Sequence, residues 1–277
     1  MMVELSADDI GVATEATSEV SLEHATRVSA VFDAGDDLRS GSPLPFLWHW
    51  AFFTPAVPTC ALGHDGHPTL PANGPTAGLP RRMWAGGRVH AHAPIVIGDP
   101  ATRRSRVERA NRKAGRSGEL LVVTAVHEIE QDDRLVLTEE QDLVYLARSE
   151  APTAEPTGDE RPPAPTGGWA DEVRVDPATL FRFSAVTFNS HRIHYDLPYA
   201  MTEEGYPALV VHGPLTALLL AESARRRGRA GSTFSFRASA PLFATSPFTL
   251  VGIPDDDGVA LQAVRNDGAV SMTARLS

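Results

Sequence analysis

The sequence predicts an α+β protein of two tandem units, and three observations lead there. Strand-like runs rich in Val, Leu and Phe recur in both halves. A helix that is apolar nearly all round stands out in the second half. Residues 149–168, rich in Pro, Glu and Gly and without apolar periodicity, separate the halves near the middle of the chain. At 277 residues the chain is long for one small core and comfortable for two packed units, which divide as 1–148 and 169–277.

In chain order, residues 1–16 are acidic and weakly patterned, and predict a frayed start. Ser21 is placed to cap a helix over residues 22–32, where Ala25, Val28, Val31 and Phe32 fall near helical spacing. Trp48, Trp50, Phe52 and Phe53 belong to a dense aromatic run that either fills a core or lines an apolar pocket. Prolines and glycines over residues 54–80 predict an irregular loop. Extended structure follows at residues 88–97, 119–131 and 134–147. In the second half, Asp176-Pro177 predicts a helix start leading to residue 188. Residues 210–222 predict a buried helix, and 233–238, 248–252, 260–264 and 269–275 predict strands. The halves also echo each other. Residues 88–99 and 234–245 each carry an extended stretch, an Ala-Pro and an apolar continuation; residues 118–124 and 268–274 form a weaker pair. Repeated pieces in the same order on both sides of a linker predict two diverged copies of one unit.

Composition narrows the partners. A net charge of −10 argues against a nucleic-acid binder. A basic run, Arg103, Arg104, Arg106, Arg109, Arg112, Lys113 and Arg116, reads either as a solvated strand and loop or as a site for carrier phosphates. Cys60 is the single cysteine, which suits a reducing compartment and reads as an inert thiol. No signal peptide or spanning apolar stretch is visible, so the expectation is a cytoplasmic protein without a membrane partner.

The chemistry concentrates in residues 183–196. Asn189 and His194 follow a predicted helix at the start of an irregular loop, a position where reactive groups commonly sit. An imidazole carries protons near neutral pH, and an amide both donates and accepts, so Asn189 is suited to hold a water against His194. Asp196 either orients a histidine or caps the next turn. Gly213, followed by Pro214 at a helix start, exposes a backbone N–H at the positive end of the helix dipole, where an oxyanion would be stabilised; close packing of that helix also favours Gly. His191, His194, Asp196 and His212 lack an established metal spacing, and neither a metal nor a cofactor is expected.

Residues 183–196 resemble the signature of the MaoC-like, hot-dog-fold enoyl-thioester hydratases and dehydratases, and Val211-His212-Gly213 resembles the start of their central helix. Residues 79–88 and 115–118 resemble the double-hot-dog subgroup that contains the mesaconyl-C4-CoA hydratases and the type 2 3-hydroxyacyl-thioester dehydratases. The resemblance implies a double hot-dog: a catalytic second half, and a degenerate first half with a long helix wrapped by sheet and a wider acyl pocket. It implies His194 as the catalytic histidine and Gly213 as the oxyanion glycine. Asn189 falls where most of the family has an aspartate, and a neutral amide cannot take the proton of an attacking water. Asn189 then positions the water while His194 handles the proton. Substrate contacts are expected from Arg82, Trp84, Arg192 and His212, with Arg82 or Arg192 pairing a distal carboxylate. The implied activity is hydration of a short branched dicarboxylic enoyl-CoA by a monomer or homodimer. The rivals are dehydration of 3-hydroxyacyl groups on CoA or a carrier protein, non-catalytic acyl-CoA binding, and thioester hydrolysis.

Overall fold

Among the described residues, ten strands form one antiparallel sheet in the order β1-β3-β4-β5-β2-β7-β10-β9-β8-β6. The computed structural model describes residues 12–69, 76, 78–79, 81–115, 118–147, 157–158 and 161–277. The first half supplies β1 (Ala13–Glu19), α1 (Leu22–Val31), β2 (Arg81–Ala91), β3 (Pro100–Gly115), β4 (Gly118–Gln131) and β5 (Arg134–Leu146). The second supplies β6 (Trp169–Val173), α2 (Pro177–Thr187), α3 (Leu197–Thr202), α4 (Gly213–Arg225), β7 (Thr233–Ala238), β8 (Phe248–Asp255), β9 (Gly258–Arg265) and β10 (Val270–Leu276). Read outward from the β2–β7 seam, where Val89 faces Phe234, the two sides repeat the same strand order. Pro80, Arg116, Ser117 and much of the expected linker lie outside the described residues.

The Ala-Pro echo falls on equivalent places. Leu44 N–H donates to Ile95 O at 2.7 Å, as Val211 N–H does to Leu242 O at 2.8 Å; Ile97 N–H donates to Ser42 O as Ala244 N–H does to Leu209 O, both at 2.9 Å. The weaker echo does not: residues 118–124 open β4, whereas 268–274 lead into β10.

This correspondence corrects one expectation. After Val211 the second half builds α4, nearly wholly buried and packed on β8, β9 and β10. After Leu44 the first half forms two short 3-10 turns, Trp48–Ala51 and Thr59–Ala61, and among the described residues no long helix follows. Leu47 and Phe53 take left-handed backbone angles on either side of the first turn, and Pro55 and Pro58 follow, so helical hydrogen bonding cannot propagate. The aromatic run fills the core: Trp48 Nε1–H donates to Glu222 at 2.9 Å, and Trp50 Nε1–H to Glu139 at 2.7 Å. Buried indoles need such acceptors.

Residues 103–113 of the basic run lie in β3, between β1 and β4, which carry acidic partners. Arg104 pairs with Glu15 at 3.0 Å and Glu130 at 2.6 Å, Arg106 with Glu128 at 3.4 Å, and Arg112 with Glu119 at 3.1 Å. Arg103 is buried and donates to Phe53 O. These arginines hold strands together rather than wait for phosphates. Residues 13–16, part of the stretch expected to fray, belong to β1, which pairs along β3 from Ala13–Arg106 to Glu19–Pro100. Among the described residues no helix is long and apolar enough to cross a membrane.

The interior also stores acid sensitivity. Burial pushes both His127 and His194 down to about 4. A histidine whose folded pKa is depressed contributes stability that is present above its ordinary value near 6.5 and lost as pH falls through the folded value. The melting temperature should therefore hold from pH 8 to 7 and fall steadily below 6.5, with a loss on the order of several kcal/mol by pH 4. Melting followed by circular dichroism across that range checks it; an unchanged midpoint at pH 4.5 would contradict the buried neutral histidines.

Candidate active site

The site is assembled at the end of α2. Asp176 caps the helix, its Oδ1 accepting Thr179 N–H at 2.7 Å, and Pro177 occupies the first turn. Phe188 ends it in the left-handed region (φ 50°), an uncommon conformation for an aromatic residue, with its side chain 62% exposed. That reversal, closed by Asn189 N–H to Ser184 O at 2.9 Å, turns the chain toward a cavity of about 880 Å³. Asn189 Oδ1 accepts His191 N–H at 3.0 Å, which fixes the amide's orientation. A 3-10 turn, Arg192–His194, then carries the histidine. A small apolar cluster including Ile193, Tyr199, Val210 and Phe243 anchors this loop.

His194 is 7% exposed. Its Nδ1 lies 2.8 Å from Val210 O. A carbonyl only accepts, so Nδ1 carries the hydrogen and Nε2 keeps the lone pair. Burial holds the ring neutral, at about 4, despite the opposing pull of that carbonyl. Behind it His212, fully buried, stacks ring on ring at 3.6 Å and bonds Ser184 Oγ through Nε2 at 2.9 Å. Burial also drives His191 and His212 well below the usual imidazole range. These three histidines are thus uncharged near neutral pH.

Gly213 is the first residue of α4, so its N–H has no intrahelical acceptor. A Cβ there would meet Trp84 Cε3 at 3.3 Å, so helix and β2 pack closely as well. An N–H without an intrahelical acceptor and a close helix–strand contact thus coincide at Gly213.

Of the expected residues, Asn189, His194, Gly213, Arg82 and Trp84 line the cavity; Arg192 and His212 do not. Arg192 is committed elsewhere: Nε and Nη2 donate to Asp196 Oδ2 at 2.9 and 2.7 Å, and the guanidinium lies 4.2 Å over the Tyr199 ring. Asp196 caps α3, accepting Tyr199 N–H at 3.1 Å, and orients no histidine. Arg81 is likewise held by Glu204 at 3.2 Å and Tyr206 Oη at 2.7 Å. Arg82 differs: its Nε is buried with no hydrogen-bond partner, and no described carboxylate pairs with it. None of Trp48, Trp50, Phe52 or Phe53 reaches the cavity.

Sequence reading missed a contribution from the first half. Asp65 and His67, in the run Gly63-His64-Asp65-Gly66-His67, line the same cavity. Asp65, His67 and His191 bring donor atoms within 4.8 Å of one another, a set able to approach a cation, although the Arg82 charge acts on all three. The signal was present as two histidines flanking an Asp-Gly turn. Only the fold brings it beside residue 191.

Comparison with known proteins gives a consistent picture. A family model described as hydroxyacyl-thioester dehydratase type 2 matches residues 47–244. The mesaconyl-C(4)-CoA hydratase of Chloroflexus aurantiacus is 45% identical over 267 residues, covering 96% of this chain and 95% of that protein. A MaoC-like dehydratase structure from Phytophthora capsici matches with a TM-score of 0.67 at 13% identity, covering 98% of each chain. A Mycobacterium tuberculosis protein described as having a double hotdog fold matches with a TM-score of 0.53 at 16% identity, over 98% of each chain. The fold expected from the sequence, a double hot-dog, is the fold found.

Proposed function

We propose that this chain, which belongs to the hydroxyacyl-thioester dehydratase type 2 family, adds water across the double bond of mesaconyl-C4-CoA or a similar short branched dicarboxylic enoyl-CoA. Membership makes it a hydro-lyase of acyl thioesters. The dicarboxylic substrate is supported by the name of the 45% identical relative and by one observation: a cavity-lining guanidinium with no carboxylate of its own.

In this reading the two halves divide the work. The first half, residues 1–148, walls the acyl pocket with Arg82 and Trp84, and the second, 169–277, brings the reacting groups. A water between Asn189 and His194 attacks the β-carbon. Its proton passes to His194 Nε2 while the double-bond pair moves onto the thioester oxygen. Gly213 N–H, at the positive end of α4, steadies that enolate oxygen. The imidazolium then returns the proton to the α-carbon, and the enolate pair forms the new C–H bond. A ring whose folded pKa is about 4 is a weak base but a strong acid, well matched to protonating carbon. Dehydration of a 3-hydroxyacyl thioester is the same path reversed.

Asn189 serves as a water holder. Asn189→Ala should lower kcat by about 10- to 100-fold, because the amide that orients the nucleophile is lost. Asn189→Asp keeps the oxygen that accepts His191 N–H and adds a charge that raises the His194 pKa, so it should retain turnover and move the acid limb of the rate profile upward. The reading as a whole is tested by a panel of enoyl-CoAs with and without a distal carboxylate, scored by loss of the conjugated thioester. Fastest consumption of mesaconyl-C4-CoA is expected. Release of free thiol, or binding without turnover across the panel, would overturn it.

A further inference from the structure

The loop from Ala61 to Thr69 is built to hold one imidazole in one orientation. Gly63 N–H donates to His67 O at 2.6 Å and Thr69 N–H to Ala61 O at 2.9 Å, closing the loop around a Leu62–Pro68 bridge. Within it the Asp65 carboxylate grips His67 twice, through His67 N–H at 2.9 Å and ring Nδ1 at 3.0 Å. The net effect holds the Asp65 carboxyl below its ordinary range, with burial opposing and the His67 contacts prevailing. A carboxylate only accepts, so Nδ1 carries the hydrogen and Nε2 presents a lone pair. That Nε2 has no hydrogen-bond partner among the described residues, on a residue that lines the cavity.

The loop is also locked onto the segment that carries the reacting groups. Arg192 N–H donates to Asp65 O at 2.9 Å, Ser190 Oγ–H to Gly66 O at 2.6 Å, and Arg192 Nη1 to His64 O at 3.0 Å. Gly66 sits at φ +84°, and a Cβ there would fall 2.0 Å from Ser190 O, so the approach requires glycine. The His67 ring lies 4.0 Å from the His191 ring, which lies 5.4 Å from that of His194. Of the carboxylates on the cavity wall among the described residues, Glu204 is held by Arg81 and Tyr199, which leaves Asp65 to support an imidazole.

We propose that His67, oriented by Asp65, is a water-positioning residue of the hydration reaction: its Nε2 accepts the hydrogen that stays on the attacking water, while His194 takes the one that leaves. The proposal rests on the hydration reading above. Two imidazole lone pairs then grip both hydrogens and turn the oxygen's own pairs toward the β-carbon. The first half thereby supplies, through an Asp-backed histidine, a hydrogen-bond acceptor that supplements the neutral amide at 189. Burial and the Arg82 charge keep His67 below the ordinary imidazole range, so its lone pair is free near neutral pH.

The test compares His67→Leu, which removes the acceptor, with His67→Gln, which keeps one in Oε1, each checked for an unchanged melting temperature. His67→Leu should lower kcat for enoyl-CoA hydration by about 30- to 100-fold with KM within about twofold, and His67→Gln should stay within about fivefold of the parent. Asp65→Asn, which no longer fixes the tautomer, should fall between them. Unchanged kcat in His67→Leu, or equal loss in Leu and Gln variants, would overturn the assignment. So would loss of wild-type activity on treatment with a chelator and its return with zinc, which would make Asp65, His67 and His191 a metal site instead. An inactive wild-type protein across the enoyl-CoA panel would sink the hydration reading itself, a different result from an active wild type matched by His67→Leu.

Discussion

His194→Ala should lose about 10³- to 10⁴-fold in kcat for hydration, with the fold retained. The size follows from the proton path. One ring receives the water's hydrogen and delivers it to carbon, so its removal disables both halves of the reaction. His67 cannot substitute, because its Nε2 holds the hydrogen that stays on the water. Structurally the change is mild: Val210 O loses the Nδ1–H donor at the edge of a cavity that water can enter, and His212 loses a stacking face. Melting by circular dichroism should confirm a folded variant. The parent's pH profile gives an independent check with a defined sign. Because the folded pKa of His194 is about 4, the neutral base is fully present at pH 7, and kcat/KM should decline only as pH falls toward 4. An ordinary histidine would already lose rate near 6.5. Unchanged turnover in His194→Ala would end the mechanism.

Why was so much of the second half legible, and less of the first? Elements whose order comes from burial or local capping announce themselves. The Ser21 and Asp176 caps, the all-round apolar α4 and the β7 strand at Thr233–Ala238 all stand where their residues predict. Elements ordered by long-range pairing do not. β1 is largely exposed at a sheet edge, and its alignment comes from the backbone ladder and from Arg104, about ninety residues away. β3 looked like a charge run because its acidic partners lie on other strands. The missing helix of the first half was hidden by the family resemblance, which predicted one. The aromatic run and its flanking prolines argued otherwise. In the site, Asn189, His194 and Gly213 lie within one stretch of chain and were visible as a motif. Asp65 and His67 were not, since nothing local relates residue 67 to residue 191. The arginine choice, Arg82 or Arg192, needed coordinates to see which guanidinium was already engaged.

Arg82→Met should separate substrates by the presence of a distal carboxylate. For mesaconyl-C4-CoA, kcat/KM should fall by about 10²- to 10³-fold, in line with the loss of a desolvated charge-assisted pair. For crotonyl-CoA, which has no such carboxylate, it should change by less than about threefold. The contrast arises because Arg82 has no ion pair among the described residues. Its neighbour Arg81 is neutralised by Glu204, and Arg192 by Asp196, whereas Arg82 carries a buried, unpartnered Nε on the cavity wall. A half-buried guanidinium on the cavity wall without an ion pair among the described residues offers an incoming carboxylate a charge-assisted partner. Because Arg82 makes no ion pair among the described residues, Arg82→Met should leave the melting temperature of the free protein nearly unchanged. In mesaconyl-C4-CoA the free carboxylate sits on the carbon that water attacks, so the guanidinium that binds it also sets the attack distance. Arg82→Lys keeps the charge but loses the planar fork, and should recover binding better than turnover. Equal losses on both substrates would show that Arg82 supports the pocket wall rather than reads the carboxylate. A melting temperature lowered by several degrees would point the same way.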